Sequence, residues 1–284
     1  MKSLAKLAQD TAAEGLKFWG IIKGTENDYY VAEGKKEGEE EGVERGADFE
    51  ARGTQWGVNE FVYWVSPGPL AEWTMLPDLE PKDIAAARSI KVLFTGNLDR
   101  KIITNPFFFK EEKFYLRAQI ARISHGTTVT PRGLWKLAEA EEDQPALEIE
   151  AKDPENEEDN FKQPETEDQV DLENWLHFPK SILLNNRTGH MEPEPAEGDE
   201  REPAEILKEI VAKDPYDDRL KPITDDTGVD GTETSWTVKL LGPKSRQTTH
   251  GKMGKNSSAH YGVIVLKSLR WPGSVTCWKG HKQF

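Results

Sequence analysis

The residues able to do chemistry in this chain are few and poorly spaced for it. Six histidines occur, His125, His177, His190, His250, His260 and His281. No two are three or four positions apart, so no helix can offer a histidine pair to a metal ion. The one cysteine, Cys277, sits in an apolar run between Thr276 and Trp278. It reads as a buried structural thiol rather than a nucleophile. A single cysteine excludes an intrachain disulfide and a multi-cysteine zinc site, and fits a reducing compartment. The run Gly251 to Ser257 has a superficial likeness to a phosphate loop. That loop needs a glycine five residues before its Gly-Lys and a Ser or Thr directly after it. Thr249 and Asn256 hold those two places before and after Gly254-Lys255. The segment reads as a flexible basic loop between two strands.

Acid–base catalysis needs two carboxylates fixed in a shielded cleft. Most carboxylates here fall in long hydrophilic runs. Asp28, Asp78 and Asp83 stand in better-formed stretches, where turn and cap roles are expected. Asn186 and Asn256 open glycosylation sequons. No charged-then-apolar leader opens the sequence, so these carry no expected modification. No run of apolar residues is long enough to span a membrane. No catalytic set, cofactor site or metal site is expected.

Charge is distributed unevenly. The 284 residues carry a net charge of −14, with 31 % charged and 36 % hydrophobic residues and nine tryptophans. The mean hydropathy is −0.71. Three runs hold the acid: Glu33 to Glu50 at −5, Glu139 to Asp171 at −13, and Glu192 to Glu209 at −6. The remainder is +10, and Trp236 to Phe284 has nine Lys and Arg with no Asp or Glu. The acidic runs are rich in Gly or Pro and poor in bulky apolar residues, and they read as solvated, disordered inserts. The tryptophans argue for true cores or interfaces elsewhere.

The elements between the inserts follow from periodicity. Leu4, Leu7, Ala8 and Ala12 predict a short amphipathic helix over 2–14. Phe18 to Ile22 and Tyr29 to Ala32 predict a β-hairpin. Asn59 to Val65 reads as a strand closed by Pro67 and Pro69, and Trp73 to Leu76 as a short extended piece. A helix begins at Pro81, with Asp83 in its first turn. Ile84, Ala87, Ile90, Lys91 and Phe94 continue its spacing to a stop at Gly96. Phe114 to Ser124 is read as a helix that buries Leu116, Ile120 and Ile123, because Arg122 breaks strand alternation. A strand bent at Pro131-Arg132-Gly133 is expected over 127–137. A helix broken near Pro179 is expected over 172–184. Strands are expected at 235–241, 261–269 and 274–278, the last two joined by a Trp271-Pro272-Gly273 turn. The fold class is α+β, with antiparallel hairpins, a few packed helices and acidic inserts. The chain divides into an N-terminal part at 1–137 with an acidic loop at 33–50, an insert at 138–171, and a C-terminal part at 172–284. The last includes a linker at 186–220.

Several stretches taken together resemble the radial spoke head proteins of motile cilia and flagella. Phe18-Trp19-Gly20-Ile21-Ile22 with Asp28-Tyr29-Tyr30-Val31-Ala32-Glu33 is similar to the opening motif of that family. Gly57-Val58-Asn59 to Val65 and Trp73-Thr74-Met75-Leu76-Pro77 with Pro81 resemble its next elements. Ala87-Arg88-Ser89-Ile90-Lys91 and Phe94-Thr95-Gly96-Asn97-Leu98 continue the likeness. Tyr115 to Ser124 is the most specific stretch, ten residues in register. Pro131-Arg132-Gly133 and Ser268-Leu269-Arg270-Trp271-Pro272-Gly273 complete it. The resemblance is to the 4/6 type, with the smaller 9 type as second choice.

The resemblance implies a non-enzymatic component of the axonemal radial spoke head that relays contact from the central pair towards dynein control. It implies partners among related head proteins of the 4/6 or 9 type, MORN-repeat head proteins and spoke stalk proteins, with transient contact to central pair projections. Neither nucleic acid nor membrane is expected as a partner, and no cofactor. Arg246, Arg270 and Trp271 are the expected interface anchors, since Arg and Trp hold binding energy when desolvated. The alternative is a cytosolic module that binds an anionic partner through the basic C-terminal segment.

Overall fold

The computed structural model describes residues 2–36, 38, 43–138, 149–162, 164–165, 168–178, 181–191, 193, 195, 201–214, 220–228, 234–242, 262–279 and 282–283. The fold is α+β, and the strand pairs among these residues are antiparallel. Two compact units form, Met1–Arg122 with Ile182–Pro215, and Ile123–Ser181 with Tyr216–Phe284. The division falls inside a helix and returns 182–215 to the first unit.

The first unit opens with helix α1 (Lys2–Thr11) and a sheet in the order β1 (Glu14–Ile22), β2 (Tyr29–Lys35), β3 (Val62–Ser66), β4 (Thr74–Met75). The expected β1–β2 hairpin is present, with Phe18 opposite Ala32 and Ile21 opposite Tyr30. Alternation then gives the sheet two apolar faces. Tyr29, Val31, Tyr63 and Val65 pack with Leu116 and Ile120, while Ala32, Val62 and Trp64 pack with Leu7 of α1.

Helix α2 (Pro81–Ser89) starts where expected, and its Asp83 carboxylate accepts the Glu80 N–H at 3.1 Å. It stops seven residues short of Gly96, because Ile90 is already extended. The next residues form their hydrogen bonds outside any helix. Val92 N–H donates to the Tyr115 hydroxyl at 3.4 Å, and the Phe94 carbonyl accepts from Thr25 at 2.8 Å. Gly96 instead serves a tight approach. Its φ is +95°, and a Cβ there would lie 2.3 Å from the Asn27 carbonyl oxygen.

Helix α3 (Glu112–Thr127) is the helix expected over 114–124. Leu116 and Ile120 are fully buried, but Ile123 is only half-buried. Helix α4 (Pro203–Lys213) lies where a linker and an acidic insert were expected. Pro203 at the first position and Ile206, Leu207, Ile210 and Val211 at helical spacing account for it. The residues before it are held by Arg88, which donates to the carbonyls of Leu183 and Ile182 and to Asn186 Oδ1, each at 2.8 Å.

The second unit contains β5 (Val129–Pro131), β6 (Trp135–Leu137), β7 (Ile149–Ala151) and β8 (Trp175–His177). It continues with β9 (Trp236–Leu241), β10 (Val263–Ser268), β11 (Val275–Lys279) and β12 (Lys282–Gln283). The last four form one sheet in the order β12-β11-β10-β9, while β5 pairs with β8 and β6 with β7. The expected bend at Pro131-Arg132-Gly133 separates β5 from β6, with Gly133 at φ +99°. Val129, Trp175, Ile223, Trp236, Ile264, Leu266 and Trp278 make the core. Trp175 and Trp278 meet edge to face, with centroids 5.7 Å apart.

Two expectations for this unit are corrected. The described residues of 172–184 are not an α-helix: a single 3-10 turn, Leu172–Asn174, leads straight into β8, and Pro179 and Lys180 lie outside the described residues. Extended backbone lets β8 bond on both sides. It pairs with β5, and His177 also exchanges bonds with Lys221 at 2.8 Å and Leu220 at 3.1 Å. Nor is the described part of the acidic insert disordered. β7 pairs with β6, Asp159 accepts from Lys136 Nζ at 2.6 Å and Asp153 N–H at 2.8 Å, and the Gln169 carbonyl accepts the Trp175 indole N–H at 2.9 Å. Acidic composition hid a few specific anchors. Residues 139–148, 163 and 166–167 of the insert lie outside the described residues.

Candidate functional site

The polar residues of the first unit gather beneath its sheet and helices rather than in a cleft. Arg117, on the core face of α3, is 1 % exposed. Its Nη2 donates to the Val58 carbonyl at 2.7 Å, the Phe61 carbonyl at 3.2 Å and Asn59 Oδ1 at 3.4 Å. The guanidinium also lies 4.5 Å from the Tyr63 ring centroid. Burial lowers its pKa, opposed by Tyr63, Asp78 and Glu33. Asn59 is itself fully buried. Its amide nitrogen donates to the Glu50 and Leu79 carbonyls at 2.9 and 2.8 Å, and its oxygen accepts the Leu79 N–H at 2.9 Å. One side chain thus ties three chain segments together.

Glu112, at the start of α3, does the same by accepting. It receives the Tyr29 hydroxyl at 2.8 Å, the Thr95 N–H and hydroxyl at 2.8 Å each, and the Gly96 N–H at 3.1 Å. Burial and this contact with Glu112 push the Tyr29 hydroxyl pKa well up, so it stays a neutral donor. Glu50 accepts the Thr188 N–H at 3.0 Å and hydroxyl at 2.7 Å. Glu33 accepts the Tyr63 hydroxyl at 2.9 Å. Both come from the run expected to be a solvated loop. Of the candidate carboxylates, Asp28 keeps its turn role with Lys23 and Gly24, and Asp83 its helix-start role. Asp78 does not. It is buried and paired with Arg52 at 2.9 Å and Arg45 at 3.3 Å. A buried carboxylate with these partners is a fastener, since desolvation would otherwise disfavour its charge.

In the second unit His177 and Asp226 form a histidine–carboxylate pair. His177 Nε2 lies 2.9 and 3.0 Å from the two Asp226 oxygens, and the Trp236 indole donates to Asp226 Oδ2 at 2.6 Å. Burial raises the Asp226 pKa, but bonds from His177 and Trp236 and the field of Arg270 outweigh it, leaving it below the usual range. The trio links β8, the turn after Ile223 and β9. Among the described residues no three His, Cys, Asp or Glu side chains gather as a metal site.

Of the expected interface residues, Arg270 and Trp271 share the turn between β10 and β11. Arg270 is exposed. Trp271 is half-buried, with its N–H on Ser268 Oγ at 3.1 Å. A Cβ at Gly126 would stand 3.3 Å from its indole nitrogen. Arg246 lies outside the described residues, as do Gly251 to Ser257, His250, His260 and His281. Cys277 is half-buried rather than buried. Sequence reasoning passed over the three consecutive residues Phe107-Phe108-Phe109, whose signal was their position between Pro106 and Lys110.

Such a molecule, α+β with its central charges closing internal contacts, has the construction of a scaffold. A model of the radial spokehead-like protein family matches residues 1–54 and 47–284. The chain is 30 % identical to radial spoke head protein 6 homolog A of Mus musculus, over 99 % of this chain and 44 % of that protein. It is 30 % identical to radial spoke head protein 4 homolog A of Homo sapiens, over 99 % and 42 %. It is 29 % identical to flagellar radial spoke protein 4 of Chlamydomonas reinhardtii, over 79 % and 43 %. The chain belongs to the radial spokehead-like family. It spans less than half the length of these curated relatives.

Proposed function

We propose that the chain is a non-enzymatic structural component of the radial spoke head in the axoneme of cilia and flagella. It relays mechanical contact from the central pair towards dynein regulation. The observation that carries this reading is the use made of the family-like motifs. Tyr29 and Thr95 bind the Glu112 carboxylate, and Asn59 and Arg117 bind backbone carbonyls, all inside the first unit. Groups fixed in this way suit a part that transmits force, because interlocked packing and directional bonds resist deformation.

Its partners on this reading are a related head protein of the 4/6 or 9 type, MORN-repeat head proteins and the spoke stalk. Arg246, Arg270 and Trp271 anchor a neighbour, while exposed acids of the runs such as Glu155, Glu157 and Glu158 present negative charge. Like-charged surfaces repel within about a Debye length, roughly 8 Å at physiological salt, which allows contact without adhesion. Cryo-tomography of axonemes from cells deleted for the gene tests this reading. Loss of spoke-head density with an intact stalk is expected. Full spoke heads in the deletion would overturn it.

A further inference from the structure

The loop 102–109 of the first unit is held at its neck and anchored from within. The Lys101–Glu111 bridge closes it, reinforced by Glu112 N–H to the Arg100 carbonyl at 2.8 Å and Lys113 N–H to the Leu98 carbonyl at 3.0 Å. Ile102 and Phe108 point inward, each 3 % exposed, and Phe108 meets the Tyr115 ring at 5.9 Å. Those two side chains do the anchoring. Between and beside them, Ile103 is 89 %, Phe107 71 % and Phe109 55 % exposed. The segment that also contacts Tyr115, through Val92 and Phe94, carries Leu93 at 77 % exposed. Three large exposed apolar side chains within one seven-residue stretch, none needed to hold the loop, mark an interaction surface.

The charges around it favour one kind of occupant. Arg100, Lys101, Lys110 and Lys113 flank the loop in sequence and Lys91 adjoins Val92, against the exposed or half-exposed acids Asp99 and Glu111. The carboxylates that pair with Arg100 and Lys110 are Glu112 and Asp83, whose side chains are 1 % exposed. Lys113 is offset by the exposed Asp99 at 3.0 Å, but Lys91, Arg100 and Lys101 leave positive charge at the surface, with the Glu112 and Asp83 carboxylates buried. Apolar side chains exposed to this degree are desolvated most fully in a concave counterpart. We infer that Ile103, Phe107 and Phe109 form a docking finger for a protein partner that presents an apolar groove rimmed by Asp and Glu. The net charge of −14 disfavours an anionic membrane or a second copy of this chain as the occupant. This rests on the spoke-head reading only for where the partner is found.

The test places a photo-crosslinking phenylalanine analogue at Phe107 of the full chain, expressed in a ciliated cell, with the still more exposed Leu70 as control. Absence of both variants from the axoneme would sink the spoke-head reading. Presence in the axoneme lets the finger be judged separately. Crosslinks from position 107, and not 70, to an apolar segment flanked by acidic residues of another axonemal protein are expected. The triple variant Ile103→Ser, Phe107→Ser, Phe109→Ser should keep its melting temperature yet lose that partner about tenfold or more. Lys91→Glu with Lys101→Glu should weaken it and flatten its salt dependence. Crosslinks to the chain's own second unit, to a second copy, to lipid or to nothing would each overturn the proposal. So would undiminished partner binding by the triple variant while folded.

Discussion

The first unit buries charge, with Glu112, Asp78, Asp83 and Arg117 all at 3 % exposure or less, whereas the second closes around Trp175, Trp236 and Trp278. Apolar burial is non-directional, and any well-packed arrangement of three indoles gains most of it. A buried carboxylate or guanidinium is tolerated only when its partners are correctly placed. The contrast teaches that the first unit is specified by geometry and the second by bulk. The spoke-like motifs concentrate in the first, where a misplaced residue does most harm.

The largest test of this contrast pairs two truncations. Trp175→Ala should cost the second unit about 3–5 kcal/mol through the cavity it leaves. Arg117→Ala should cost the first unit about as much, roughly 3–5 kcal/mol, by leaving the carbonyls of Val58 and Phe61 buried without donors. Urea unfolding of each variant measures both. An Arg117→Ala loss below about 1 kcal/mol would remove the polar half of the comparison. Next in size, Ile120→Ala should cost about 2–5 kcal/mol, and the half-buried Ile123→Ala distinctly less. Equal losses would mean that α3 presents a different face to the core.

Two groups, one in each unit, should contribute at opposite ends of the pH scale. Tyr29 has a raised folded pKa, so its contribution is full below about pH 10 and is lost as pH rises beyond it. Asp226 has a lowered one, so its contribution is full above about pH 4 and fades as pH falls below it. Melting temperatures measured across pH should show a shallower alkaline slope in Tyr29→Phe and a shallower acid slope in Asp226→Asn. Unchanged slopes in both would contradict the assignment. The smallest effect is expected at Lys136, 36 % exposed over Asp159, where Lys136→Met should shift stability by about 1 kcal/mol or less. A larger loss would show that the acidic segment carries more of the second unit than its anchors indicate.

Local order was legible where one period dominates. The β1–β2 hairpin, the start of α2 and the whole of α3 follow from alternation, from Pro81, and from Leu116 and Ile120. Elements failed where two periods overlap. Trp175 and Leu176 continue a helical spacing from Leu172, yet pairing with β5 and with Leu220 and Lys221 made them a strand. Helix α4 carries its own start signal at Pro203, obscured by eight acidic residues between Glu192 and Glu209. The polar fasteners could not be read at all. Arg117 meets a carbonyl 59 positions away and Glu50 meets Thr188 across 138, distances that no local pattern encodes. The finger at 102–109 was equally hidden, because three phenylalanines in a row look like core until Phe108 turns in and its neighbours turn out.

The most direct test of the central claim is retention of the purified full chain on axonemes stripped of their spoke heads, at low and at high salt. Aromatic-anchored docking predicts saturable binding that survives high salt, with only the part due to the acidic runs released. Failure to bind at either salt, or turnover of a substrate at an enzyme-like rate by the chain alone, would contradict the account.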